Sequence, residues 1–266
     1  MDPVKNALLE DGAFRDATSA IIPNRRVTGR FLAKQDLVVC GLDLARRAFR
    51  HMGVSFQPRV RDGQKAKKGT ILATVAGPAR RVLAAERTAL NFIQQLSGVA
   101  TITRRFADLA RPARVFDTRK TTPGLRALEK YAVRCGGGYN HRMGLHDGVM
   151  IKDNHIAAIG DLDRLREQVE ALAAKGRPIV LEAATHEQAL LFATFPVQVL
   201  MLDNFSIPGL RRAVRAVRDL HPKLEIEASG GVNLKTVRAI ARTGVDRVSV
   251  GALTHSAPAV DISLEL

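Results

Sequence analysis

The chain has 266 residues, of which 46 % are hydrophobic and 25 % charged, with two cysteines and no tryptophan. This composition excludes a disordered, fibrous or disulfide-rich protein, and the length allows a large α/β domain with a smaller companion. The formal net charge of +15 predicts attraction to anions: nucleic acid, an anionic membrane, or small phosphorylated and carboxylated substrates.

The N-terminal segment and the cysteines indicate a cytoplasmic protein. Residues 1–16 are amphipathic and lack the continuous apolar core of a secretory signal, and no run has the length of a transmembrane helix. Cys40 and Cys135 have no metal-binding spacing, so we expect free thiols in a reducing compartment. Neither feature predicts contact with a membrane.

Residues 1–100 predict a small α+β domain. Strand-like runs lie at 31–40, 54–60 and 70–76, and residues 86–96 have the apolar spacing of a helix. We expect the boundary with the next domain near 97–101, and the C-terminal tail at 256–266 is a candidate to pack on the small domain.

From 101 to 255 short apolar runs alternate with helical stretches. The runs lie at 114–118, 149–152, 178–182, 198–202, 224–228 and 247–250. Helical stretches are predicted at 123–134, 153–175, 186–194, 207–220 and 234–243. Such alternation predicts a parallel sheet covered by helices, either closed into a β/α barrel or open and doubly wound.

Polar residues directly after these runs favour the barrel. They are Arg119, Lys120, Lys152, Asp153, Glu182, Asp203, Asn204, the segment 229–231 and Gly251. In a barrel the carboxyl ends of all strands meet at one mouth, where the βα loops build active sites. In an open sheet they would spread along an edge, with a site mainly at the switch point.

Several cations are expected at that mouth. Arg119 and Lys120 follow one run, His141 and Arg142 follow a glycine run, and Lys152 ends the next. Arginine pairs bidentately with carboxylates, whereas lysine supplies a point charge for phosphate. Because adjacent cations repel one another, the pattern predicts a ligand with several negative charges. The remaining histidines give weaker signals: His51, His186, His221 and His255 are expected to be structural or solvated, and His146 and His155 stay open.

Glu182 and Asp203 supply the opposite charge at consecutive strand ends. Carboxylates beside a polyphosphate indicate Mg²⁺, and they can also stabilise positive charge on a sugar. Ion pairing with Lys152 or Lys120 is the alternative, and it is compatible with these roles while the site is empty.

The last two strands end in Ser229-Gly230-Gly231 and Gly251-Ala252. Glycines there let backbone N–H groups approach an anion, and phosphate sites recur after the final strands of β/α barrels. An ordinary tight turn is the alternative for each loop.

Six segments of the sequence resemble the quinolinate phosphoribosyltransferase family. They are ERTALNFIQQLSGVAT (86–101), TRKTTPGLR (118–126), YNHRMGLHDGVMIKDNH (139–155), LDNF (202–205), EASGGV (227–232) and VGALTHS (250–256). The resemblance implies a homodimer with an N-terminal α/β domain and an open β/α barrel. It also implies transfer of phosphoribosyl from phosphoribosyl pyrophosphate to quinolinate with loss of CO₂, assisted by Mg²⁺, to give nicotinate mononucleotide for NAD biosynthesis.

The resemblance assigns roles to residues at matching positions. Arg119 and Arg142 would hold the quinolinate carboxylates with His141 beside them, and Arg87 would reach the site from the partner subunit. The other expected substrate-binding residues are Thr118, Ser229, Gly230, Gly231, Gly251 and Ala252. The expected catalytic residues are Lys120, Lys152, Glu182 and Asp203, and the two lysines would meet the anionic substrates. Glu182 and Asp203 would serve the metal and the ribose. Val180 departs from the pattern, because the family often has an acidic residue there.

Three alternatives stay open at this point. The first is a relative of the same fold with another pyridine or pyrimidine acceptor, against which the paired Arg119 and Arg142 argue. The second is a Schiff-base aldolase that uses Lys152. The third is a nucleic-acid binder, for which charge is the only argument.

Overall fold

The computed structural model describes residues 2–266. It divides into two compact units: the described part of Met1–Arg104 with Leu128–Gly137 and Ser256–Leu266, and Arg105–Ala127 with Gly138–His255. Over residues 2–266, no helix is both long enough and apolar enough to cross a membrane.

The α-helices and β-strands follow one another without a regular repeat as far as the long third helix, and after it strands largely alternate with helices. The order is α1 (Pro3–Glu10), β1 (Arg26–Ala33), β2 (Leu37–Val38), α2 (Leu42–His51), β3 (Ser55–Pro58), β4 (Lys65–Ala66), β5 (Ile71–Pro78), α3 (Ala79–Ala110), β6 (Arg114–Phe116), α4 (Arg126–Cys135), β7 (Val149–Ile151), α5 (Asp153–Ile159), α6 (Leu162–Ala174), β8 (Ile179–Ala183), α7 (His186–Phe192), β9 (Val199–Asp203), α8 (Ile207–Leu220), β10 (Glu225–Ser229), α9 (Val237–Ala241), β11 (Arg247–Ser249), α10 (Ala252–His255) and β12 (Ile262–Glu265).

The first unit is an α+β structure built on an antiparallel sheet. Its strands run in the order β12-β1-β5-β3, so the C-terminal strand pairs with β1. Phe31, Phe49 and Phe56 form an aromatic core, with ring centroids 5.6 to 5.8 Å apart. The predicted run at 31–40 contains the end of the eight-residue strand β1 and the two-residue strand β2, and residues 97–101 lie inside the single long helix α3.

The second unit contains the predicted parallel sheet with its helices. The strand order is β6-β11-β10-β9-β8-β7, and the edge strands β6 and β7 do not pair with each other in the described chain. The barrel is therefore open, and the predicted fold class, an open β/α barrel with a smaller α+β part, is confirmed. Helix α8 shows why pattern predicts structure here: Leu210, Ala213, Val214 and Val217 are buried at helical spacing.

Two helical stretches differ from the prediction for local reasons. The stretch 153–175 is two helices, because Gly160 ends α5 in the left-handed conformation (φ 74°) and the Asp161 side chain caps α6. The stretch 234–243 contains only the short helix α9. Its start is delayed because the Asn233 side chain accepts hydrogen bonds from the backbone of Lys235 and Thr236.

Candidate active site

A cavity of about 620 Å³ lies at the carboxyl ends of the parallel strands in the second unit. Most of the predicted site residues line it: Thr118, Arg119, Lys120, His141, Arg142, Lys152, Asp203, Ser229, Gly230, Gly231, Gly251 and Ala252. The sequence prediction that these strand ends converge is therefore correct.

Glu182 lies beside the cavity rather than on its lining. Its Oε2 accepts a hydrogen bond of 2.6 Å from Lys152 Nζ, and the Glu182 side chain is 7 % exposed against 41 % for Lys152. The predicted alternative, an ion pair between these residues, is what the structure contains. An ammonium held by a buried carboxylate is poorly suited to Schiff-base chemistry, which needs a neutral amine.

Arg87 is exposed on α3, in the first unit. Its predicted entry into the site of a partner subunit stays a prediction.

The two arginines of the site influence each other. Burial, together with the charge of Arg119, lowers the pKa of the Arg142 guanidinium, whereas Asp147 acts in the opposite direction. Arg142 Nη1 donates to the carbonyl of Gly148 at 3.2 Å, and its Nε is buried without a hydrogen-bond partner in residues 2–266. Arginine stays protonated at any pH of interest. A negatively charged ligand between the two guanidinium groups would therefore relieve their repulsion.

His141 is held from several sides. Its backbone N–H donates to Asp117 Oδ1 at 2.8 Å, and its ring Nε2 lies 2.7 Å from Glu227 Oε1. Both carboxylates are fully buried. Neither carboxylate is predicted as a site residue from the sequence, because Asp117 lies within the apolar run 114–118 and Glu227 within the apolar run 224–228. The alternation of charged and apolar residues from Glu225 to Ser229 is the signal that could have indicated an inward-facing acid.

The loop after β9 and the loop after β10 fit together closely. A Cβ atom on Gly230 would lie 2.1 Å from Asn204 Oδ1, and Gly230 has a φ of +90°. The Asn204 backbone N–H donates to the Ser229 carbonyl at 2.9 Å, and its side chain donates to Asp203 Oδ2 at 2.6 Å. Glycine is thus required at 230 for both space and conformation, and Asn204 couples that loop to Asp203.

Other lining residues were absent from the predicted set. They are Met150, Met201, Asn204, Val232, Ser249 and His255. His255, which was expected to be structural or solvated, is exposed and lies at the cavity, where a Cβ on Gly251 would come within 3.1 Å of its Nε2. Its position on the turn after Gly251 was the available signal.

Fold and cavity together define an α/β protein of the open β/α-barrel class, with a cavity rich in cationic side chains at the carboxyl ends of its parallel strands. The sequence model of the quinolinate phosphoribosyl transferase N-terminal domain matches residues 16–97, and that of the C-terminal domain matches 99–265. The chain belongs to the quinolinate phosphoribosyltransferase family, a family of pentosyltransferases.

Individual relatives agree over nearly the whole chain. A chloroplastic nicotinate-nucleotide pyrophosphorylase (carboxylating) of Arabidopsis thaliana is 42 % identical over 283 residues, covering 99 % of this chain and 81 % of the relative. A probable nicotinate-nucleotide pyrophosphorylase (carboxylating) of Synechocystis is 39 % identical, covering 94 % and 86 %. The crystal structure of nicotinate-nucleotide pyrophosphorylase from Ehrlichia chaffeensis has a TM-score of 0.91 and 38 % identity, covering 98 % and 96 %.

Proposed function

We propose that this chain transfers the phosphoribosyl group of phosphoribosyl pyrophosphate to the nitrogen of quinolinate, releasing pyrophosphate and CO₂ and giving nicotinate mononucleotide. One observation supports this most strongly. A single cavity is lined by two arginines, two histidines, two lysines and Asp203, with Glu182 beside it and glycine loops at the last strands. That set suits a dicarboxylate acceptor and a polyphosphorylated sugar together.

Quinolinate is assigned to the side of the cavity formed by Arg119, Arg142 and His141. Two guanidinium groups that repel each other in the free protein gain most from a ligand with two adjacent carboxylates. A ligand with one carboxylate would leave one arginine without an anionic partner. This arrangement therefore favours quinolinate over nicotinate as acceptor.

Phosphoribosyl pyrophosphate is assigned to the opposite loops and to the lysines. Gly230, Gly231 and Gly251 line the cavity, and backbone N–H groups of these loops are the proposed donors for the 5′-phosphate. Lys120 and Lys152 supply positive charge for the pyrophosphate.

Mg²⁺ is the proposed cofactor, held by Glu182 and Asp203. No group of three or more His, Cys, Asp or Glu side chains in residues 2–266 forms a metal site of its own. Mg²⁺ commonly needs only one or two carboxylates and takes its other ligands from substrate phosphates and water, so these two residues fit. When bound, the ion would neutralise charge on the leaving pyrophosphate. Because Val180 stands where the family often has an acid, Glu182 is the one carboxylate on β8.

The chemistry requires charge stabilisation more than proton transfer. The C1–O bond of the ribose breaks, pyrophosphate takes the bonding electron pair, and the quinolinate nitrogen donates its own pair to C1. Glu182 and Asp203 stabilise the positive charge that develops on the ribose. The pyridinium then accepts the electron pair of the breaking C2–carboxylate bond, CO₂ leaves, and a proton takes its place. The chain's own contribution is positioning and electrostatics.

The test is a steady-state assay with quinolinate, phosphoribosyl pyrophosphate and Mg²⁺, following nicotinate mononucleotide. We expect product with quinolinate, little or none with nicotinate, and none after Mg²⁺ is chelated. Product from nicotinate alone would move the assignment to a relative of the same fold that uses another acceptor. Activity that survives full chelation would remove the metal.

We also propose a cytoplasmic homodimer in which Arg87 enters the partner's site. The exposure of Arg87 on α3 supports its entry into the partner's site. The free thiols of Cys40 and Cys135 support a reducing compartment. Mixing Arg87→Ala and Arg142→Ala proteins under subunit exchange should raise the activity at low quinolinate above that of either variant alone, because a hybrid dimer has one intact site. Mixtures no more active than their components would contradict a shared site, and sedimentation as a monomer would contradict the dimer.

A further inference from the structure

A buried carboxylate stands behind the acceptor side of the cavity. Glu227 is fully buried and is not among the residues that line the cavity, but it contacts two residues that do, His141 and Ser249. Its Oε1 lies 2.7 Å from His141 Nε2 and accepts a hydrogen bond from the Ser249 hydroxyl. Nothing in the roles proposed above uses this residue.

The contacts fix His141 at three places. Its backbone N–H is held by Asp117, one face of the ring meets the Phe116 ring edge-on with centroids 5.5 Å apart, and Nε2 meets Glu227. With only 9 % of its side chain exposed, the imidazole has one orientation available. The ring nitrogen that bonds a carboxylate carries the proton, so the contact also selects the tautomer.

Stability alone does not explain a carboxylate at this position. A buried charge is expensive unless it is paired, and apolar residues of similar volume usually replace buried ion pairs without loss. Glu225, two residues earlier on β10, is paired with both Arg114 and Arg247. By contrast, His141 is the one cation-forming group paired with Glu227 in the described residues, and Glu227 Oε2 is buried there without a hydrogen-bond partner.

We infer that Glu227 is a positioning residue for the acceptor, acting through His141. It holds the imidazole with Nε2–H donated to the carboxylate, and Ser249 fixes the carboxylate in turn. The ring is thereby oriented toward the carboxylates of quinolinate before the substrate arrives. The inference rests on the proposed function for the identity of that substrate, but the His141–Glu227 contact itself does not.

A double-mutant cycle tests the inference in the intact enzyme. Glu227→Gln keeps the shape and removes the charge, and a charge-assisted hydrogen bond is about twice as strong as a neutral one. We expect the KM for quinolinate to rise on the order of tenfold, with the KM for phosphoribosyl pyrophosphate unchanged. In a His141→Ala background the same substitution should have little further effect. Glu225→Gln, on the same strand, is the matched control and should leave the quinolinate KM unchanged.

Two results would overturn the inference. One is an equal effect of Glu227→Gln with and without His141. The other is an equal rise in the KM of both substrates, which a general loss of structure would give.

A measurement without substrate separates this inference from the proposed function. In proteins labelled with ¹⁵N at histidine, the His141 signals (assigned from His141→Ala) should show a protonated Nε2 in the parent. They should shift in Glu227→Gln but not in Glu225→Gln. If the parent fails to use quinolinate but shows this pattern, only the proposed function fails. A parent whose Nε2 carries no proton, or spectra identical in parent and Glu227→Gln, refute the positioning role whatever the substrate.

Discussion

Replacing Arg142 by alanine is the sharpest single perturbation of the acceptor side. A hydrogen bond to a charged partner contributes about 1.5–3 kcal/mol, which corresponds to roughly 10- to 150-fold in affinity. Relief of the repulsion between Arg142 and Arg119 offsets part of this loss, because the charge of Arg119 already disfavours the Arg142 cation. We therefore expect the KM for quinolinate to rise about 10- to 100-fold, while the KM for phosphoribosyl pyrophosphate changes little.

The same substitution should cost little stability. Arg142 donates one hydrogen bond to the Gly148 carbonyl, and its buried Nε has no partner in residues 2–266, so removing the side chain also removes an unfavourable burial. We expect the free energy of unfolding to change by less than about 1 kcal/mol. Steady-state kinetics with each substrate varied, together with urea unfolding, measure both quantities. Arg164→Ala, an exposed arginine on α6, controls for net charge. An unchanged quinolinate KM in a folded Arg142→Ala protein would refute the assignment.

Three further predictions concern other parts of the chain. Glu182→Gln should lower kcat on the order of 100-fold with only a small change in thermal unfolding, and full turnover in this variant would remove the proposed carboxylate role. Gly230→Ala should lower the free energy of unfolding by about 1–2 kcal/mol from the positive φ alone. It should also lower kcat/KM for phosphoribosyl pyrophosphate, because the new Cβ displaces Asn204. Wild-type kinetics would mean that the loop adapts. Alkylation near pH 8 should modify Cys135 before Cys40. A hydrogen bond from Cys40 lowers the pKa of the Cys135 thiol, whereas the same contact and burial raise the pKa of the Cys40 thiol. Equal labelling of both thiols in the folded protein would contradict this order.

The strand ends were the part of the site that the sequence could predict. Short apolar runs at regular intervals define parallel strands, and topology alone brings the residues after them, such as Arg119 and Asp203, to one mouth. Helix bounds were predictable where spacing is regular, as in α8. They were not predictable where a single residue sets the end of a helix. Gly160 is such a residue, because its left-handed conformation ends α5 within a pattern that otherwise continues.

The residues that support the site could not be predicted in this way. Glu227 and Asp117 lie within strand runs, and their significance comes from partners 86 and 24 positions away along the chain. Such contacts depend on how neighbouring strands are offset, which no local pattern contains. The same holds for His255, whose place at the cavity depends on the turn that follows Gly251.

The outer edge of β6 has no neighbouring strand within residues 2–266, and the proposed acceptor residues follow this edge, apart from the proposed phosphate loops. In place of a neighbouring strand, Tyr139 alone bridges to Phe116, with its N–H donating to Val115 and its carbonyl accepting from Asp117. His141 and Arg142 follow this bridge, outside any ladder of strand pairing, whereas the proposed phosphate loops follow β10 and β11, which each have a paired strand on both sides. Substitutions or insertions in 140–148 can therefore reshape the acceptor pocket without altering strand register. A lineage can change which ring it modifies while keeping the sugar-phosphate half of its chemistry intact.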